Sequence, residues 1–327
     1  MGAGARSRSG NGARPRIEDL SSPAFTSGST LLNVASVEPA NGGAVSSPRY
    51  TGSMAPPFRF SICNEVFEKS PFEQACALIR QIGYDGIEIA PFTLAESPQE
   101  ISAEQRRAYK QSMAEAGLSF VGLHWLMVSP AGLHVTTPDA SLRARSWEHI
   151  RRLIDLCADL GDDGVMVFGS PKQRNAVDGT PPAEAARVFA SELAKVAPQA
   201  KDRGVRILVE ALPKSQSNVI NTLSEAVAIV EQIGNPAVQT MFDTHNAADE
   251  TLPHSDVIRG FFPHIAHIHV NEMDGREPGT GDYDFAQLLK TLTDLEYKNW
   301  VSLEVFDFAR GAEPIARGAL EHLRSQL

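Results

Sequence analysis

Thr222-Leu-Ser-Glu-Ala-Val-Ala-Ile-Val-Glu-Gln-Ile-Gly234-Asn-Pro-Ala-Val238-Gln-Thr-Met-Phe-Asp243 holds one complete folding unit. Thr222 with Glu225 three residues later has the form of a capping box, so a helix starts there. Gly234 ends it, at a place where a left-handed residue is easiest for Gly. Val238 to Asp243 is then a short apolar strand that finishes on an acid.

Working outward, the same unit recurs from Phe58 to the end of the chain. The strand cores are Phe58 to Cys63, Gly86 to Ala90, Phe120 to His124, Gly164 to Phe168, Val205 to Glu210, Val238 to Asp243, Ala266 to Val270 and Trp300 to Val305. Helix starts of the same kind stand at Ser70-Pro71 with Glu73 and at Ser102 with Gln105, and further stops at Gly83, Gly117, Gly161 and Gly204. Ile150, Leu153, Ile154 and Cys157 follow the i, i+3, i+4, i+7 rule of a helix with one face on a sheet. Eight strand-then-helix units with near-continuous apolar strands predict a parallel sheet covered by helices, and eight is the number that closes as an α/β barrel, the (β/α)8 TIM barrel. A doubly wound open sheet is the alternative; the barrel is preferred because function-type residues stand at the ends of many different strands.

The 327 residues, 42% hydrophobic and 21% charged, suffice for a large core. A net charge of −10 argues against a nucleic-acid partner, since such binding depends on Lys and Arg neutralising phosphates. Three cysteines without paired spacing suit a reducing compartment, no apolar run approaches the roughly 20 residues that span a bilayer, and a cytoplasmic enzyme is expected. Residues 1–55 stand apart: 30 of them are Gly, Ser, Ala or Pro, without apolar periodicity, which predicts a disordered tail ahead of a barrel over 56–327. Five arginines against three acids give that segment +2 and leave the barrel at −12. It lacks the apolar run of a signal peptide, and Met54 stands as an alternative start.

In such a barrel the C-terminal strand ends share one mouth, where polar residues are catalytic candidates. They are Glu210 in Leu-Val-Glu-Ala, Asp243 in Met-Phe-Asp-Thr-His, His269 in His-Ile-His-Val and Glu304 in Ser-Leu-Glu-Val. Three carboxylates converging with one imidazole repel unless a divalent cation joins them, and such a cation also supplies a Lewis acid. Oxygen-rich ligation with a single nitrogen favours one Mn²⁺, with Mg²⁺, Co²⁺ or Fe²⁺ as alternatives, and the lack of thiolate ligands argues against structural zinc. His267, two residues before His269 and one layer deeper, reads as a hydrogen-bonded core histidine rather than a ligand. His124 and Trp125 offer a polar group and an aromatic wall for a hydroxylated substrate, although Trp125 can equally pack under a loop. His245 and Asn246 are substrate contacts or loop caps. Lys172 and Arg174 read as two solvated loop cations more readily than as a phosphate site, and Pro278-Gly-Thr-Gly281 is a turn able to fold over the mouth.

Residues 58 to 327 resemble the xylose-isomerase-like superfamily of sugar isomerases and epimerases, and within it the D-psicose and D-tagatose 3-epimerases. The likeness lies in the Glu210 strand followed by Asn218-Val-Ile-Asn221-Thr222, in Phe242-Asp243-Thr244, in His269-Val-Asn-Glu272-Met-Asp274 leading to Pro278-Gly279-Thr-Gly281, and in Leu303-Glu304-Val305. The resemblance implies that Glu210, Asp243, His269 and Glu304 bind the metal, and that Glu210 and Glu304 also exchange protons with the sugar. Three substrate-recognition positions depart from the family. Its Arg after the strand-7 Asp is Gly275 here, with Arg276 following; its His three residues after the strand-6 Asp is Asn246, with His245 one earlier; its Glu six residues after the strand-5 ligand is Gln216.

The expected activity is therefore metal-dependent isomerisation or epimerisation of a ketose or related polyol through an enediolate, one carboxylate removing a proton and the other returning it. The partner is a small-molecule sugar, with no membrane partner; a homo-oligomer is left open. A dehydratase or lyase sharing the enediolate step is the alternative. An endonuclease IV-like activity fits poorly with a barrel charge of −12, and a non-catalytic sugar-binding protein would not need the paired carboxylates.

Overall fold

The computed structural model describes residues 56–327; the tail expected over residues 1–55 lies outside the described residues. Eight strands form one closed, wholly parallel barrel: β1 Arg59–Cys63, β2 Gly86–Ile89, β3 Ser119–Leu123, β4 Val165–Phe168, β5 Arg206–Val209, β6 Val238–Asp243, β7 Ile265–Val270 and β8 Trp300–Leu303. Closure is direct. Arg59, Phe60, Ser61 and Ile62 of β1 stand opposite Trp300, Val301, Ser302 and Leu303 of β8, which rules out the open sheet. The helices are α1 Phe72–Ile82, α2 Ala103–Ala116, α3 Ala140–Leu160, the short α4 Pro171–Arg174, α5 Pro182–Asp202, α6 Leu223–Ile233, α7 His254–Phe261, α8 Phe285–Asp294 and α9 Ala312–Ser325.

The strands read as apolar because both of their faces are covered, and every residue of β2, β4 and β7 is buried. Leu208 stands two residues before Glu210 and Met241 two before Asp243, so strand alternation points each pair to one side. Leu208 and Met241 join Val121, Val165 and Val167 in a compact apolar cluster that floors the polar strand ends.

Ser102 and Gln105 form the expected capping box. Thr222 accepts from the Glu225 amide, but Glu225 Oε2 accepts from the amide of Asn221 rather than that of Thr222. Two expectations change. Ser70 caps nothing, because α1 starts directly after Pro71, whose carbonyl accepts from the Ala75 amide. Gly161 is extended rather than left-handed, whereas Gly83, Gly117, Gly204 and Gly234 are left-handed as read. All three cysteines are buried and unpaired. Among the described residues no helix is long and apolar enough to cross a membrane.

Candidate metal and substrate site

Where the strands end, the chain peels away from the barrel and its last side chains face one another. Glu210 lies one residue beyond β5 and Glu304 one beyond β8; Asp243 is the last residue of β6 and His269 the penultimate one of β7. Their ligand-type atoms all lie within 4.8 Å of one another, and all four residues are buried. His269 Nδ1 is 3.0 Å from Glu304 Oε2 and 3.6 Å from Asp243 Oδ2. Asn246 braces two of the acids: its amide donates to Asp243 Oδ1 and its Nδ2 to Glu210 Oε1, each at 2.8 Å. Asn271 Nδ2 donates to Asp243 Oδ2 at 3.3 Å. Gly169, just past β4, leaves room for Glu210, since a β-carbon there would lie 2.1 Å from Oε2.

Burial, followed by the charges of Glu304 and Asp243, pushes the Glu210 carboxyl up to about 8. Burial also raises Glu304, against the opposing pull of His269. For Asp243 burial acts upward, but the hydrogen bond and charge of His269 prevail and its pKa falls. Burial disfavours the charged form of His269, yet Glu88 and Glu304 hold it well above the ordinary imidazole value. Three oxygen donors and one nitrogen at this spacing, with the Glu210 carboxyl forced toward its neutral form by burial and by its acidic neighbours, fit a divalent cation whose charge would offset that repulsion.

The residues expected to meet substrate lie in different surroundings. Trp125 is half-buried between Phe92 and Phe306, with ring centroids 6.0 and 6.1 Å away and planes tilted by 16° and 4°. Its backbone has φ +49°, a conformation that costs a bulky residue roughly 1–3 kcal/mol. The loop that carries it therefore holds the ring in place. His245 extends this wall, 5.2 Å from the Phe306 ring; it accepts from Gln216 Nε2 at 3.1 Å and donates from Nδ1 to the Met273 carbonyl at 2.8 Å. His124 is fully buried, and its Nε2 donates to Glu65 Oε2 at 2.6 Å. Arg276 makes its contacts within its own turn, to Asp274 and to the Thr280 carbonyl. The Pro278–Gly281 turn is drawn onto buried Glu272, which accepts from the amides of Gly279 and Tyr283.

Arg174 corrects the reading of two solvated loop cations. It is fully buried beneath the β4–β5 end of the barrel, while Lys172 is exposed. Sequence reasoning also passed over Glu65 and Glu88, both buried and both hydrogen-bonded to site histidines. A signal for Glu88 existed, because Gly86-Ile-Glu-Ile-Ala90 ends in the same strand-end acid pattern as Ser-Leu-Glu304-Val. His267, read as a core histidine, bonds to Glu88 at 2.8 Å.

Barrel topology and polar mouth together define an α/β-barrel protein with an oxygen-rich candidate cation site. Residues 76–326 match the family described as xylose isomerase-like TIM barrel, and the chain belongs to that family. It is similar to a D-psicose 3-epimerase of Agrobacterium fabrum, 26% identical over 232 residues covering 70% of this chain and 77% of that protein. It is also similar to an L-ribulose 3-epimerase of Mesorhizobium japonicum, 27% identical over 241 residues, 73% of this chain and 76% of the relative. Among solved structures, a D-psicose 3-epimerase in the presence of D-fructose superimposes with a TM-score of 0.71 at 21% identity, over 83% of this chain and 99% of that one, a likeness of fold.

Proposed function

We propose that this protein is a divalent-metal-dependent ketose epimerase, of the kind that inverts a hydroxyl-bearing carbon next to the carbonyl. The observation that carries the reading is the convergence of Glu210, Asp243, His269 and Glu304 within 4.8 Å, with two glutamates from strands on either side of the Asp243 and His269 strands. The 3-epimerase relatives supply the substrate class.

Glu210, Asp243, His269 and Glu304 would hold the cation, with Mn²⁺ first among the candidates. A divalent cation at such a site supplies a Lewis acid that acidifies a carbon-bound proton beside a carbonyl. The two glutamates do the proton transfer. One glutamate, ionised, takes the proton from carbon as its electron pair moves into the enediolate, and the other, as the neutral acid, delivers its own proton to the opposite face, so that the two exchange protonation states in a turnover. Asn246 fixes Glu210 through Oε1 and leaves Oε2 beside Gly169. Trp125, Phe92 and Phe306 give a flat apolar wall for the carbon face of a sugar, and Gln216 with His245 a polar edge.

The test is incubation of the Mn²⁺-loaded protein with a panel of ketoses in D2O, followed by mass and product analysis. An epimer of unchanged composition carrying one carbon-bound deuterium is expected. Loss of water would identify a dehydratase instead, and absence of any exchange across the panel would sink the reading. Elemental analysis of chelated and reloaded protein checks the ligand set: Asp243→Asn and His269→Ala should each lower metal content, and unchanged content in both would overturn it.

A further inference from the structure

Glu88 stands at the third position of β2, between Ile87 and Ile89, and is completely buried. Its carboxylate gathers three donors: His269 Nε2 at 3.1 Å to Oε1, and His267 Nε2 at 2.8 Å and Ser302 Oγ at 2.9 Å to Oε2. β2 pairs with β1 and β3, whereas β7 pairs with β6 and β8, so Glu88 meets His269 across the barrel lumen and not along a sheet edge. A carboxylate in that position is expensive to desolvate, and packing alone would be served as well by an apolar side chain. Its effect falls on His269. With the Nε2 hydrogen directed at Glu88, the neutral ring carries its lone pair on Nδ1, the nitrogen that faces Glu304 and Asp243.

We infer that Glu88 is a positioning residue that sets the tautomer and rotation of His269 so that Nδ1 is presented to a divalent cation. The inference rests on the metal reading given above. Carboxylates behind a ligating imidazole commonly change metal affinity by about 10- to 100-fold, because they hold the ring and raise its basicity. Ser302 and His267 complete the arrangement by filling the other oxygen of Glu88, and Ser302 in turn bonds to Ser61 of β1.

The experiment compares wild type with Glu88→Gln, Glu88→Asp and Tyr297→Phe, each stripped with chelator. Mn²⁺ affinity is read from the electron paramagnetic resonance of free Mn²⁺, ligand geometry from the absorption spectrum of the Co²⁺ form, and folding from circular dichroism and melting temperature. Glu88→Gln keeps the volume, but its amide offers one acceptor edge and one donor edge to two histidines that both need an acceptor. It should bind Mn²⁺ about 10- to 100-fold more weakly, with a changed Co²⁺ spectrum. Glu88→Asp retains the charge one methylene short of His269 and should fall between, and it carries the test if Glu88→Gln does not fold. Tyr297→Phe, which removes a buried hydroxyl bonded to the Trp300 carbonyl and outside the Glu88 network, should lower the melting temperature and leave Mn²⁺ affinity close to wild type. Equal Mn²⁺ affinity and an unchanged Co²⁺ spectrum in the folded Glu88 variants would overturn the inference. So would equal weakening by Tyr297→Phe, which would make Glu88 a general core support. Failure of the wild type itself to bind Mn²⁺ would remove the metal reading and this inference together, an outcome distinct from either of those.

Discussion

Arg174 reaches from α4 to the backbone of Glu210: its Nη1 donates to the carbonyls of Phe168 and Glu210, both at 2.8 Å, and its Nη2 to that of Val219 at 3.4 Å. The guanidinium thus ties the end of β4, the end of β5 and the loop beyond it, and burial lowers its pKa to about 10. Arg174→Met keeps much of the apolar stem and removes the side-chain donor of the Glu210 carbonyl, while the Phe168 and Val219 carbonyls keep the Glu210 amide and the Ser217 hydroxyl. At roughly 1–3 kcal/mol for a buried group left unpaired, the variant should lose on the order of 2 kcal/mol of stability. Urea denaturation measures this, and a loss under about 1 kcal/mol would show that water replaces the side chain without penalty.

Gly275 explains in structural terms why no arginine fits at its position in this chain. Its φ is +81°, and a β-carbon would lie 2.7 Å from Phe306 Cδ2, while the Phe306 amide donates to its carbonyl at 2.8 Å. Gly275→Ala should destabilise by more than about 1 kcal/mol through both the left-handed backbone and the contact with the ring. Placed in a Phe306→Ala background the steric part disappears. A double-mutant cycle on thermal unfolding should therefore give a coupling of at least about 0.5 kcal/mol, and additivity would refute the clash.

His149 predicts a pH effect on stability. It is buried on α3 and donates from Nε2 to the Leu126 carbonyl at 2.9 Å; burial lowers its pKa below the ordinary imidazole value. Because the unfolded chain takes up the proton first, the contribution of the neutral ring is fully present above an unfolded pKa near 6.5 and declines as pH falls below it. His149→Gln should be less stable than wild type at pH 8, and the gap should narrow by pH 5. A gap that is constant with pH, measured by thermal melts of chelator-treated proteins, would contradict this.

Glu210→Gln and Glu304→Gln should each fold, retain measurable Mn²⁺ and lose about 10²- to 10⁴-fold in turnover, as expected when a positioned acid or base is removed. Starting from one epimer, the variant lacking the base that faces the carbon-bound proton should stop deuterium exchange; starting from the other epimer, the second variant should. Near wild-type exchange in both would reduce the glutamates to metal ligands alone.

Much of the barrel was legible because its signals are local. The capping box at Ser102, the left-handed glycines and the apolar strands depend on neighbours a few residues away, and the position of an acid at the end of a strand follows from the same pattern. For that reason the convergence of Glu210, Asp243, His269 and Glu304 could be expected from eight recurring units. What the sequence could not decide is which groups stand behind them. Glu88 and His269 are 181 residues apart, and Glu65 and His124 59 apart; their meeting depends on β1 closing against β8 and on the stagger of the strands around the barrel. The same holds for Arg174, which reads in one dimension as a loop cation beside Lys172 and becomes buried because the folded chain surrounds it with backbone carbonyls from three segments. Local periodicity determines which face of an element is polar; only closure in three dimensions determines which polar groups then have no partner but each other.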